Sequence, residues 1–74
     1  MNSEYVLRMA NQIADTFGIY PDREQAVCDL ADHINRFWEP RMRASLLKLA
    51  GGADDSARLS PLVHEAVPRL RPPP

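Results

Sequence analysis

Proline occupies positions 21, 40, 61 and 68, and again 72–74. A proline inside a helix removes one backbone hydrogen bond and clashes with the preceding turn, so a regular helix can begin at these positions but cannot run through them. Between them the apolar residues recur at spacings of three and four rather than two, which is the period of a helix with one buried face. The pattern predicts an all-α fold: a small bundle of three main helices plus a short fourth, followed by an extended proline tail. At 74 residues there is room for one domain, placed at 1–70, with the tail at 71–74.

Asn2 and Ser3 can cap a first helix whose opening turn holds Glu4, a favourable charge at the positive end of the helix dipole. Leu7, Ala10, Ile13, Ala14 and Phe17 form its apolar face, and Gly18, in a left-handed conformation, is expected to end it ahead of Pro21. Asp22 and Gln25 have the spacing of a capping box for a second helix with the stripe Ala26, Val27, Leu30, Ala31, Ile34, Phe37 and Trp38. Glu39-Pro40 makes a corner. A third helix then carries Met42, Leu46, Leu47 and Leu49 on one side, with Arg41, Arg43 and Lys48 supplying positive charge, and closes at Gly51-Gly52. The small, acidic stretch 51–59 reads as a mobile loop. Ser60 as cap and Pro61 as first residue start the short fourth helix, with Leu62, Val63, Ala66 and Val67 apolar and Pro68 ending it.

A chain of this length has a core worth only about 3–5 kcal/mol, and natural proteins of such size usually add disulfides, a metal or a partner surface. The single cysteine, Cys28, excludes an internal disulfide. Cys28, His33 and His64 are too few and too dispersed for a structural zinc site, which needs about four clustered ligands. Asp29 and His33 share a helix face, but that pair alone is an ordinary surface contact, and Cys28 reads as a small buried apolar residue. There is no glycine-rich phosphate loop and no arrangement of paired carboxylates beside a cleft, so the chain is not expected to be an enzyme by itself. A partner surface is what remains.

Charge is unevenly divided. Residues 1–35 carry a net −4 and residues 36–74 a net +3, for −1 overall. Folding the halves together would neutralise them, and presenting them separately would give two faces of opposite sign. The small overall negative charge argues against a nucleic-acid binder, although helix two, the Glu39-Pro40 corner and the basic third helix keep a helix-turn-helix reading open as the alternative. The N-terminus has neither the basic nor the apolar region of a signal peptide, and no apolar run approaches the roughly 18 residues that span a bilayer. A cytoplasmic location is expected.

The candidate partner-binding residues are Arg36, Phe37, Trp38, Pro40, Arg41, Met42 and Arg43, where two large aromatics and three arginines meet a helix-breaking corner. Aromatics, methionine and arginine are enriched at protein interfaces because they combine large burial with directed hydrogen bonds. The same aromatics could instead plug the core at the corner, with the arginines paired within the chain.

Three stretches, Met9-Ala10-Asn11-Gln12-Ile13-Ala14, His33-Ile34 leading into Phe37-Trp38-Glu39-Pro40-Arg41-Met42-Arg43, and Leu59-Ser60-Pro61-Leu62-Val63, together resemble the delta subunit of NAD-dependent formate dehydrogenases. The resemblance runs from about Val6 to Val67. It implies a non-catalytic accessory subunit of a cytoplasmic enzyme complex, bound to the large alpha (catalytic) subunit and favouring assembly or stability. In that family the alpha subunit holds a molybdenum or tungsten bis-pyranopterin cofactor and iron–sulfur clusters, the beta subunit holds FMN and the NAD site, and the gamma subunit holds further clusters. The resemblance implies no cofactor, catalytic residue or metal ligand in the present chain, and neither nucleic acid nor membrane as a partner.

Overall fold

A computed structural model describes residues 2–72 of the chain. The elements are α1 (Ser3–Phe17), α2 (Arg23–Phe37), α3 (Pro40–Gly51), α4 (Ala53–Arg58) and α5 (Pro61–Ala66), followed by a 3₁₀ turn over Val67–Arg69. No strand occurs among the described residues, so the fold is all-α as the apolar periodicity predicts.

The helix boundaries follow from local chemistry. The Asn2 side chain accepts hydrogen bonds from the backbone N–H groups of Glu4 (2.9 Å) and Tyr5 (3.4 Å), satisfying two of the donors that a helix start leaves free. Asp22 accepts from the Gln25 N–H at 3.2 Å, but Gln25 does not reach back; its Nε2 donates to Asp29 Oδ1 at 2.8 Å, so only half of the expected capping box forms. Pro40 and Pro61 occupy the first helical positions of α3 and α5, where the missing N–H costs nothing. Gly18 departs from expectation. Its backbone is right-handed (φ −65°, ψ −12°) and its N–H donates to the Ala14 carbonyl at 2.8 Å, so α1 stops because the next turn closes from Tyr20 to Phe17 and Pro21 follows. Pro68 ends α5 as an α-helix yet fits the tighter 3₁₀ turn.

The segment 51–59, expected to be a loop, contains α4. Gly52 is extended (φ −88°, ψ 141°) and separates α4 from α3. Asp54 and Asp55 then fall in the first turn of α4 and Arg58 in its last, each matched to the helix dipole. Tertiary contacts hold this short helix: Arg58 pairs with Glu4 of α1, and His64 Nε2 of α5 lies 2.6 Å from the Ser56 carbonyl. Of the expected tail, Pro72 is exposed, whereas Arg71 is tied to the body by hydrogen bonds described below; Pro73 and Pro74 lie outside the described residues.

One apolar core joins all the main helices. Val6, Leu30, Ile34, Leu46 and Val63 are its largest fully buried members, and no polar or charged residue is buried among the described residues. Two asparagines fasten the C-terminal third to this core. Asn11 of α1 donates from Nδ2 to the Arg58 carbonyl (3.0 Å) and accepts at Oδ1 from the Ser60 N–H (2.9 Å). Asn35 of α2 does the same with the Arg69 carbonyl (3.1 Å) and the Arg71 N–H (2.8 Å). Each amide thus bridges the backbone on either side of one leucine, Leu59 or Leu70, and each of those leucines is buried.

The divided charge of the sequence is reconciled by folding. Arg58–Glu4, Arg69–Glu24 and Arg36–Asp32 each pair a base of the C-terminal half with an acid of the N-terminal half, and Arg23–Glu65 ties the halves together in the opposite sense. The hydrogen bond from Arg58 holds the Glu4 carboxyl below its ordinary pKa, and that from Arg23 does so for Glu65. The same contacts raise Arg58 and, through Glu24, Arg69. All of these side chains remain solvated, so each pair adds only marginally to stability.

Candidate protein-docking surface

The corner between α2 and α3 sorts the seven candidate residues into two groups. After Phe37 the backbone leaves the helix: Trp38 and Glu39 are both extended (φ −82°, ψ 136° and φ −62°, ψ 152°), as the residue before a proline must be. This change of direction turns Trp38 into the core, where it is 8% exposed, and leaves Phe37 at the surface, 71% exposed. Met42 packs partly buried against the core. Arg43 is spent inside the chain: Nη1 donates to the Trp38 carbonyl at 2.8 Å and the Asn35 carbonyl at 3.5 Å, and Nε donates to the Arg71 carbonyl at 3.1 Å. It caps the end of α2, whose last carbonyls have no partner within the helix. Arg36, Phe37, Pro40 and Arg41 face outward. Arg36 pairs with Asp32 one turn back at 3.2 Å, and Arg41 makes no ion pair among the described residues.

Phe37 is not isolated. Its ring centroid lies 5.0 Å from that of His33, which lies 5.8 Å from Phe17, which lies 5.7 Å from Tyr20 in an edge-to-face arrangement. These separations are those of favourable ring pairs, and they run across the surface from α2 to the end of α1. Along α1 the line continues at four-residue steps through Ile13 and Met9, both partly buried, to Tyr5, which is 47% exposed. Tyr20 is 38% exposed. The sequence reading names His33 only as a surface neighbour of Asp29 and in the family resemblance, and does not single out Tyr5 or Tyr20. The i, i+4 spacing of Tyr5, Met9, Ile13 and Phe17 was the available signal, lying at the edge of the stripe that forms the core.

Several polar residues flanking this strip have partners within the chain, although Arg41 has none among the described residues. Asp29, one turn before His33, accepts from Gln25; Arg36 is paired with Asp32; and the Thr16 hydroxyl donates to the Gln12 carbonyl at 3.4 Å. Cys28 lies on a different face of α2 and, contrary to expectation, is exposed, with Arg69 Nη1 2.9 Å from its Sγ. Among the described residues no group of three or more His, Cys, Asp or Glu side chains could hold a metal ion, and no helix is long and apolar enough to cross a membrane.

These features define a small all-α protein of short helices, without disulfides, that displays an aromatic strip across two of its helices. The chain belongs to the NADH-dependent formate dehydrogenase delta subunit (FdsD) family, whose model matches residues 6–67. That span takes in α1 from its second turn, the corner and α4–α5, so the core apart from Leu70, and the aromatic strip apart from Tyr5, lie within it. Comparison with curated proteins and with solved structures finds no match to the chain.

Proposed function

We propose that this chain is a non-catalytic accessory subunit that binds the large alpha (catalytic) subunit of a cytoplasmic NAD-dependent formate dehydrogenase and supports its assembly or stability. Family membership supports the enzyme complex, and the observation that carries a binding role is Phe37. A phenylalanine 71% exposed beside two exposed arginines, Arg36 and Arg41, has a large free energy of burial still to be gained. In this reading formate oxidation and NAD reduction take place elsewhere in the complex. The molybdenum or tungsten bis-pyranopterin and iron–sulfur clusters belong to the alpha subunit, FMN and the NAD site to the beta subunit, and further clusters to the gamma subunit.

The helix-turn-helix alternative loses support at the corner. Only Trp38 and Glu39 separate α2 from α3, fewer than the roughly 3–4 residues of such a turn, and Arg43 is bound to backbone carbonyls rather than available to phosphates. The test is co-expression of a tagged form of this chain with the alpha, beta and gamma subunits. The alpha subunit is expected to co-elute, and omission of the chain is expected to lower the yield of assembled enzyme. Full assembly without it, and no alpha subunit in the eluate, would overturn the proposal.

A further inference from the structure

We infer that α4 is a strap that opens on its own, lifting away between the Gly51-Gly52 pair and the Arg58 carbonyl while the other helices stay folded, and that its opening widens the groove between α1 and α3. This is a property of the free chain, whatever surface the chain docks with. The groove has a volume of about 290 Å³ and is lined by Ser3 of α1, by Ser45, Lys48 and Leu49 of α3, and by Asp55, the wall that α4 supplies. Lifting α4 removes that wall and opens the Leu49 side of α3.

Burial separates α4 from its neighbours. Every other α-helix contributes buried side chains to the core, whereas α4 contributes none, so its opening exposes little apolar surface and meets little resistance. Its start is equally loose. A capping side chain begins α1, α2 and α5, and a proline at the first helical position begins α3 and α5; α4 has neither, and it follows two glycines whose conformational freedom favours the open chain. Six residues are too few to hold a helix without outside contacts. The side-chain contacts along it are solvent-exposed: Arg58 with Glu4, and His64 Nε2 with the Ser56 carbonyl. Asn11, by contrast, grips the Arg58 carbonyl and the Ser60 N–H over the buried Leu59, which fixes the far end of the strap and limits the opening to the segment before it.

The experiment is amide hydrogen exchange on the full chain, followed by NMR at increasing urea below the unfolding transition. The Ser56, Ala57 and Arg58 amides are expected to be at least about tenfold less protected than those of Leu30 and Ile34, and to respond little to urea because opening α4 exposes little surface. Equal protection and equal urea dependence in the two groups would mean that α4 opens only with the whole molecule, and would overturn the inference. Gly52→Ser with Ala53→Pro gives α4 the kind of start that Ser60 and Pro61 give α5. Gly52 is already extended, and the nearest atom beyond its chain neighbours, the Leu49 carbonyl oxygen, lies 3.6 Å from an added Cβ, so the change fits. This variant is expected to slow α4 exchange by about three- to tenfold. Glu4→Gln, which removes the partner of Arg58, is expected to speed it by about two- to fivefold. In a Cys28→Ser background, a thiol placed in the groove by Ser45→Cys should be alkylated at rates that follow α4 exchange in both variants. Alkylation that neither variant moves would show the groove to be independent of α4 and overturn the inference.

Discussion

Phe37 and Trp38 are neighbours with opposite fates. Trp38→Ala should lower the stability of the free chain by roughly 3–5 kcal/mol, the usual result of emptying a large aromatic site and comparable to the whole stability of so small a core. Thermal melting should find that variant largely unfolded, while Phe37→Ser melts close to wild type. Arg41 and Arg43 form a second such pair. Arg43→Ala strands the Trp38 and Arg71 carbonyls and should cost about 1.5–3 kcal/mol, whereas Arg41→Ala should change stability by less than about 0.5 kcal/mol. Denaturant unfolding of both variants checks this. Sequence alone could not separate these residues. On a continued helix Phe37 and Trp38 both lie within reach of the stripe set by Leu30 and Ile34, and only the extended backbone before Pro40 decides which ring turns inward.

The three long helices were legible because their signals are local: period, cap and proline each act over a few residues. The fourth segment shows where that legibility ends. In Ala53–Arg58 the two aspartates and the terminal arginine spell a helix dipole correctly, yet the glycine pair before them is equally good grammar for a loop, and long-range contacts from Glu4, Asn11 and His64 settle the choice. The asparagine bridges were not legible at all, since their backbone partners lie 47 and 34 residues away. The ion pairs between helices carry a pH dependence with a definite sign. The carboxyls of Glu4 and Glu65 titrate lower in the folded chain than in the unfolded one, so their contribution is complete above the ordinary glutamate value of about 4.3 and is lost as pH falls through the folded value. Glu65→Gln should therefore show a shallower decline of Tm on acidification than wild type, and added salt should shrink the difference.

Taken as one body, the packed part of the described chain runs to Arg71. Leu70 is buried and Arg71 is bonded to both Asn35 and Arg43, whereas Pro72 is exposed. Truncation after Arg71 should leave the melting temperature and complex formation unchanged. Truncation after Arg69 removes a buried leucine and should cost about 2 kcal/mol or more, visible as a melting point lower by roughly 10 °C or more in a domain of this size.

The paired asparagine bridges have a dynamic corollary. Residues 59–70 are buckled to α1 at one end and to α2 at the other, with a buried leucine beneath each buckle. Such a segment is expected to open as one cooperative unit rather than fray from its terminus. The amide protons of Ser60 and Arg71 lie outside the regular helices, where fast deuterium uptake would be usual. Both should instead be slow, share one opening free energy, and lose protection together when either asparagine becomes alanine.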